Sequence, residues 1–173
     1  MIGEMRDAET AEIAVQAAMT GHLVFSTLHT NDAIGALPRL LDLGVPDYLV
    51  AATLEGVLAQ RLVRRICNEC RTEYVPSRDA VALLANRPVG RTRLQRGAGC
   101  IACRGTGYQG RIGLFELLVM TDELKDAITG GASRAALRAV AADAGMPTLA
   151  ADGWSKIERG LTTVEEVLRV VQQ

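Results

Sequence analysis

The 173 residues suffice for one domain of ordinary size or two small ones, and 49% apolar with 23% charged residues is a globular balance. A formal charge of −1 and 3% aromatic residues argue against a broad nucleic-acid footprint and against a general membrane-surface patch. No run of about 18 apolar residues occurs, so no transmembrane helix is expected, and Met1–Asp7 lacks a signal-peptide layout. A cytoplasmic chain is the expectation, and its four cysteines are then not expected to form structural disulfides.

In chain order, Asp7 is placed to cap a helix running to about Thr20, with Glu9 in its first turn and Gly21 as the residue that stops it. The stretch "HLVFSTLH" then predicts a strand over 22–28 with apolar residues on both faces, as in a parallel sheet covered by helices. Both histidines of the chain flank it, and an offset of seven puts His22 and His29 on opposite faces. They cannot form one metal pair on that strand. Asn31 or Asp32 is expected to start a helix to about Leu43, kinked or broken at Pro38, and Pro46 a further helix to about Leu58. Arg61–Ile66 reads as a short strand. Helix, strand, helix, helix, strand is the rhythm of an α/β sheet.

The texture changes at Cys67, where Gly, Arg, Asn and Cys accumulate through residue 112 with only a short helical stretch near Asp79–Leu84. Gly110–Met120 is a candidate strand. Helices follow from Thr121 or Asp122 to Thr129, from Ser133 to Gly145, over Leu149–Arg159 and over Thr163–Val171. Thr162 with Glu165 carries a capping-box pattern for the last.

All four cysteines fall into two C-x-x-C pairs, Cys67/Cys70 and Cys100/Cys103, with 29 residues between the pairs. Each pair makes a knuckle that presents two thiolates to one side, and two knuckles make a tetrahedral four-sulfur site. A redox enzyme needs only one such pair. The paired spacing therefore favours structural Zn²⁺, while iron takes the same geometry. Arg64, Arg65, Arg71 and Arg104 stand ready to offset the thiolate charge, and metal binding would order a segment poor in core residues.

Four stretches, "GEMRDAETAEIAVQAAMTGHLVFSTLHTNDA", "AQRLVRRICNEC", "GCIACRGTGYQGRIGLFELL" and "TTVEEVLRV", closely resemble, in that order, the type II secretion and type IV pilus assembly ATPases. The resemblance covers essentially the whole chain. It implies an α/β fold made of the C-terminal half of a RecA-like core with a mainly parallel sheet (residues 1–66), a tetracysteine metal-binding element (67–112) and a C-terminal strand and helical region (113–173). It also implies a homo-hexamer that powers pilin or pseudopilin assembly, cytoplasmic and peripheral at the inner membrane, with inner-membrane platform and secretion or pilus proteins as partners and no nucleic acid.

Residue by residue, "GEMRD" resembles the family's Walker B segment, where Glu4 would polarise the attacking water and help order Mg²⁺. "STLHT" resembles its histidine box, where His29 would approach the terminal phosphate of ATP, and this agrees with the place of His29 just past the end of a strand. Arg6 would contact nucleotide or a neighbouring subunit, or else pair locally near Asp7 and Glu9. His22 reads as a capping or packing histidine. The family's G-x-x-x-x-G-K-[ST] phosphate loop is not in the sequence, so the chain is expected to be a fragment, or else a natural stand-alone remnant, and inactive alone. Two other functions compete: a zinc-stapled protein-binding adaptor without ATPase activity, and a zinc-ribbon nucleic-acid binder, which the neutral charge and few aromatics weaken. Retraction motors in the wider superfamily typically lack a tetracysteine element, so the resemblance leans towards assembly or secretion.

Overall fold

The computed structural model describes residues 1–77, 82 and 93–171. The helical stretch expected near Asp79–Leu84 lies outside the described residues apart from the single position 82. The chain divides into two compact units, Met1–Ala59 with Glu116–Met146, and Gln60–Phe115 with Pro147–Gln173.

In the first unit α1 (Ala8–Met19) starts where Asp7 accepts the Thr10 N–H at 2.8 Å. It ends at Gly21, whose φ of +89° lets the Gly21 and His22 N–H groups turn back onto the Ala18 and Ala17 carbonyls. The second helix, α2 (Ala36–Asp42), begins later than expected. Pro38 sits in its first turn, where no intrahelical N–H is needed, so the proline sets the start of the helix and does not kink it. Likewise α3 (Asp47–Thr53) is shorter than expected, because the chain passes at once into β1 (Gly56–Ile66), a strand that absorbs Leu58. The helix α4 (Asp122–Thr129) is capped by Thr121, one of the two candidates in the sequence, and α5 (Arg134–Asp143) by Ser133, as expected. Leu37, Leu40, Val50, Leu118, Leu124, Ile128 and Leu137 form the core of this unit, each worth about 1.5–3 kcal/mol on burial.

The second unit holds the short ribbon β2 (Arg71–Tyr74) and β3 (Leu94–Gly97), antiparallel with Arg71 opposite Gly97. It also holds α6 (Leu149–Glu158), capped by Thr148, and α7 (Val164–Val171). Val63, Leu94, Leu114, Trp154, Ile157, Val164 and Val167 make its core. The cap of α7 is Thr163, which accepts the Glu166 N–H at 3.4 Å, one residue beyond the expected Thr162. The Thr162 hydroxyl donates instead to the Arg64 carbonyl.

A mainly parallel sheet is not what the described residues form. The long strand β1 pairs with β4 (Tyr108–Val119), and the bonds Met120 N–H to Glu55 O and Cys67 N–H to Gly107 O, at opposite ends, make that ribbon antiparallel. Residues 22–28 carry no assigned strand. They run beside residues 2–5 in the same direction, joined by Ile2 N–H to Phe25 O and Met5 N–H to Thr27 O, and Leu23 and Phe25 are 74% and 60% exposed. A strand is buried on both faces only between neighbouring strands and under helices, and two bonds to one short neighbour do not provide that.

Candidate functional site

Met5 and Leu28 tuck partly into the first unit's core. Since side chains alternate along extended chain, their neighbours Glu4 and His29 face away from that core. There the Glu4 carboxylate meets two cationic candidates, with His29 Nε2 2.8 Å from Oε2 and Arg6 Nη2 2.7 Å from Oε1. The bond to His29, and then that to Arg6, holds the Glu4 carboxyl below the ordinary carboxylate range. The His29 side chain is 77% exposed, so the group is open to solvent and to a ligand. Arg6 pairs with Glu4 and not with Asp7, which is occupied as the α1 cap.

His22 is placed apart from this group. Its Nδ1 lies 3.0 Å from the Thr20 hydroxyl and 3.3 Å from the Ala17 carbonyl, so it closes the C-terminal turn of α1. The two histidines therefore do separate things.

In the second unit Cys67, Cys70, Cys100 and Cys103 come together, with all four sulfur atoms within 4.8 Å of one another. The separations Cys67–Cys100, Cys70–Cys103 and Cys100–Cys103 are 3.9, 3.8 and 3.8 Å. A zinc tetrahedron with Zn–S bonds of about 2.3 Å has sulfur–sulfur edges of about 3.8 Å, so the donor set and its spacing fit that ion. The thiols also receive backbone N–H groups, from Gly99 to Cys70 and from Cys100 and Gly107 to Cys103. At Cys103 burial opposes charge, yet the Cys100 and Gly107 N–H groups prevail and bring the thiol down to about 6. Glycine is required in this wrap: a Cβ on Gly97 would overlap the Gly107 carbonyl. Of the arginines expected nearby, Arg64 pairs with Glu166 and Arg71 with the Asn68 side chain.

Two further carboxylates were not evident from the sequence. Asp32 binds Arg134 and Arg138 of α5, and Glu116, 5% exposed, accepts the Ala33 N–H at 2.9 Å. The available signal for Glu116 was its place as the sole charged residue in the apolar run "GLFELLVM".

Among known proteins, the family model described as type II/IV secretion system protein matches residues 1–169. The type IV pilus assembly ATPase PilB of Thermus thermophilus is 48% identical over 170 residues, covering 97% of this chain and 19% of that protein. Type II secretion system protein E of Pseudomonas aeruginosa is 47% identical over 173 residues, covering all of this chain and 34% of its own length. The chain thus spans about a third or less of these relatives. Among solved structures, the pilus retraction motor PilT with bound ADP superposes with a TM-score of 0.64 at 27% identity, over 97% of this chain and 38% of that one. The fold is also that of the Yersinia pseudotuberculosis ATPase DotB, at a TM-score of 0.66 and 19% identity, over 98% of this chain and 36% of that one. With a match that runs almost from end to end, the chain belongs to the type II/IV secretion system protein family.

Proposed function

We propose that this chain is the C-terminal part of a hexameric ATPase that powers pilin or pseudopilin assembly in type II secretion or type IV pilus biogenesis. The observation that carries the reading is the half-buried Glu4 carboxylate held between the exposed side chains of Arg6 and His29. In functional terms residues 1–66 are then part of a RecA-like core, 67–112 a metal-binding element, and 113–173 the C-terminal strand and helical region. Glu4 orients and polarises the attacking water, its low pKa keeping it ionised to accept a hydrogen bond. In this reading His29, bonded to that carboxylate through Nε2, gives a hydrogen bond to the terminal phosphate, and Arg6 neutralises nucleotide charge. Mg²⁺ bound with ATP would neutralise the phosphates and need a carboxylate near them, which Glu4 supplies.

Cys67, Cys70, Cys100 and Cys103 would hold a structural Zn²⁺ that staples the second unit, with no open position for chemistry. Among the described residues no helix is long and apolar enough to cross a membrane. The site of action in this reading is the cytoplasmic face of the inner membrane, beside a platform protein.

Phosphoryl transfer depends on groups that cradle the β- and γ-phosphates, and the glycine-rich lysine loop that does so is not in this sequence. The 173-residue chain alone is expected to hydrolyse no ATP above background, whereas the chain joined behind the P-loop half of a relative is expected to turn ATP over. The competing reading, an adaptor that never handles ATP, predicts no turnover in the joined protein, and that result would displace ours.

A further inference from the structure

His29 is an exposed side chain on a backbone that is held unusually firmly just behind it. The Thr30 hydroxyl donates to the Asp32 carbonyl at 3.1 Å. Ala33 gives its N–H to the buried Glu116 of β4, 83 residues away, and Ala33 and Ile34 are fully buried. The Asp32 carboxylate accepts the Gly35 N–H at 2.7 Å, Arg134 Nη2 at 2.9 Å on both oxygens, and Arg138 Nη2 at 2.6 Å. Burial opposes the charge on Asp32, but the Gly35 N–H and the two guanidinium groups hold its pKa below the ordinary range, so it stays ionised. Gly35 is part of the same device for steric reasons: a Cβ there would stand 2.8 Å from Asp32 Oδ1 and 3.5 Å from Arg134 Nη2.

This turn is held by two carboxylates, Asp32 from within and Glu116 from β4, and by two arginines reaching from a helix 102 and 106 residues further on. A short segment held from two separate elements has little freedom, and the side chain at its entrance inherits that order. We infer that Asp32, clasped by Arg134 and Arg138, is a positioning residue that fixes His29 against Glu4, so that α5 sets the geometry of the nucleotide side from a distance. The functional weight of this rests on the role proposed above for His29, but the clasp itself makes its own prediction.

The test uses the 173-residue chain and three variants: Arg134→Ala with Arg138→Ala, Gly35→Ala, and Arg134→Lys with Arg138→Lys. Amide hydrogen exchange at Ala33 and Gly35, or at Ala33 alone where residue 35 is changed, reports the loop. The ¹⁵N resonance of His29 Nε2 reports the pair with Glu4, and the amide of Ile128 reports the unit as a whole. The double alanine and Gly35→Ala variants should exchange the loop amides roughly tenfold faster and displace the His29 signal with Ile128 unchanged. The lysine pair, which keeps the charge, should recover most of the parental His29 signal. An unmoved His29 resonance, unaltered loop exchange, or an equal acceleration at Ile128 would overturn the inference. None of these readings depends on ATP, so a His29 with no part in hydrolysis would leave them as they are.

Discussion

Glu166 is a carboxylate only 2% exposed, in α7. It accepts the Arg64 backbone N–H at 2.9 Å, the Arg64 guanidinium at 2.7 Å and that of Arg169 at 3.1 Å. Arg64 in turn lies 4.1 Å from the centre of the Tyr108 ring, so one carboxylate ties α7 to β1 and, through that stack, to β4. Burial works against its charge, but the Arg64 and Arg169 bonds prevail and bring its pKa from the ordinary 4.5 to about 2. At about 1.4 kcal/mol per pKa unit, that drop is worth at most about 3–4 kcal/mol. Both arginine side chains are half exposed and can return to water when the partner is lost, which trims the loss to about 2–3 kcal/mol. Because the folded pKa is depressed, this stability is complete above pH 4.5 and is lost as pH falls towards 2. Trp154, the single tryptophan, is buried in the core of this unit, so its fluorescence reports the urea unfolding of that core. Glu166→Gln should unfold about 2–3 kcal/mol more easily than the parent at pH 7, with the difference shrinking as pH falls towards 2. A difference within about 0.5 kcal/mol at pH 7, the range of an ordinary surface change, would refute the reasoning.

Protein purified without chelator should contain one zinc per chain at Cys67, Cys70, Cys100 and Cys103, and Cys100→Ser should open residues 67–112 to protease while the first unit stays protected. Metal-free protein, or equal protection of mutant and parent, would count against the staple. Gly153→Ala in α6 gains about 1 kcal/mol in helix propensity, but its Cβ would overlap Val167 Cγ1 of α7, at a cost of about 1–3 kcal/mol. Trp154 fluorescence should therefore record a net loss, and a more stable variant would show that Val167 gives way freely.

Helices declared themselves in the sequence most fully where a cap and a glycine stop bracketed them: Asp7 with Gly21 and Ser133 with Gly145. These are contacts within three or four residues, which periodicity and capping rules read directly. The stretch 22–28 misled because apolar residues on both faces describe a strand's preference, while burial depends on neighbours elsewhere in the chain. The cysteine site was legible because its two pairs each carry a fixed local spacing. The clasp on Asp32 and the anchor at Glu116 were not, since they join residues 83 to 106 positions apart and a lone acidic residue in a strand ordinarily faces water.

The central claim, that Glu4 and His29 form the catalytic edge of an ATPase completed by a P-loop half, is tested most directly by hydrolysis in the protein joined to that half. The account predicts that Glu4→Gln binds ATP yet does not turn it over, that His29→Ala lowers turnover, and that His22→Ala acts only through stability, since it closes the end of α1. Full turnover in both the Glu4→Gln and His29→Ala proteins would contradict it.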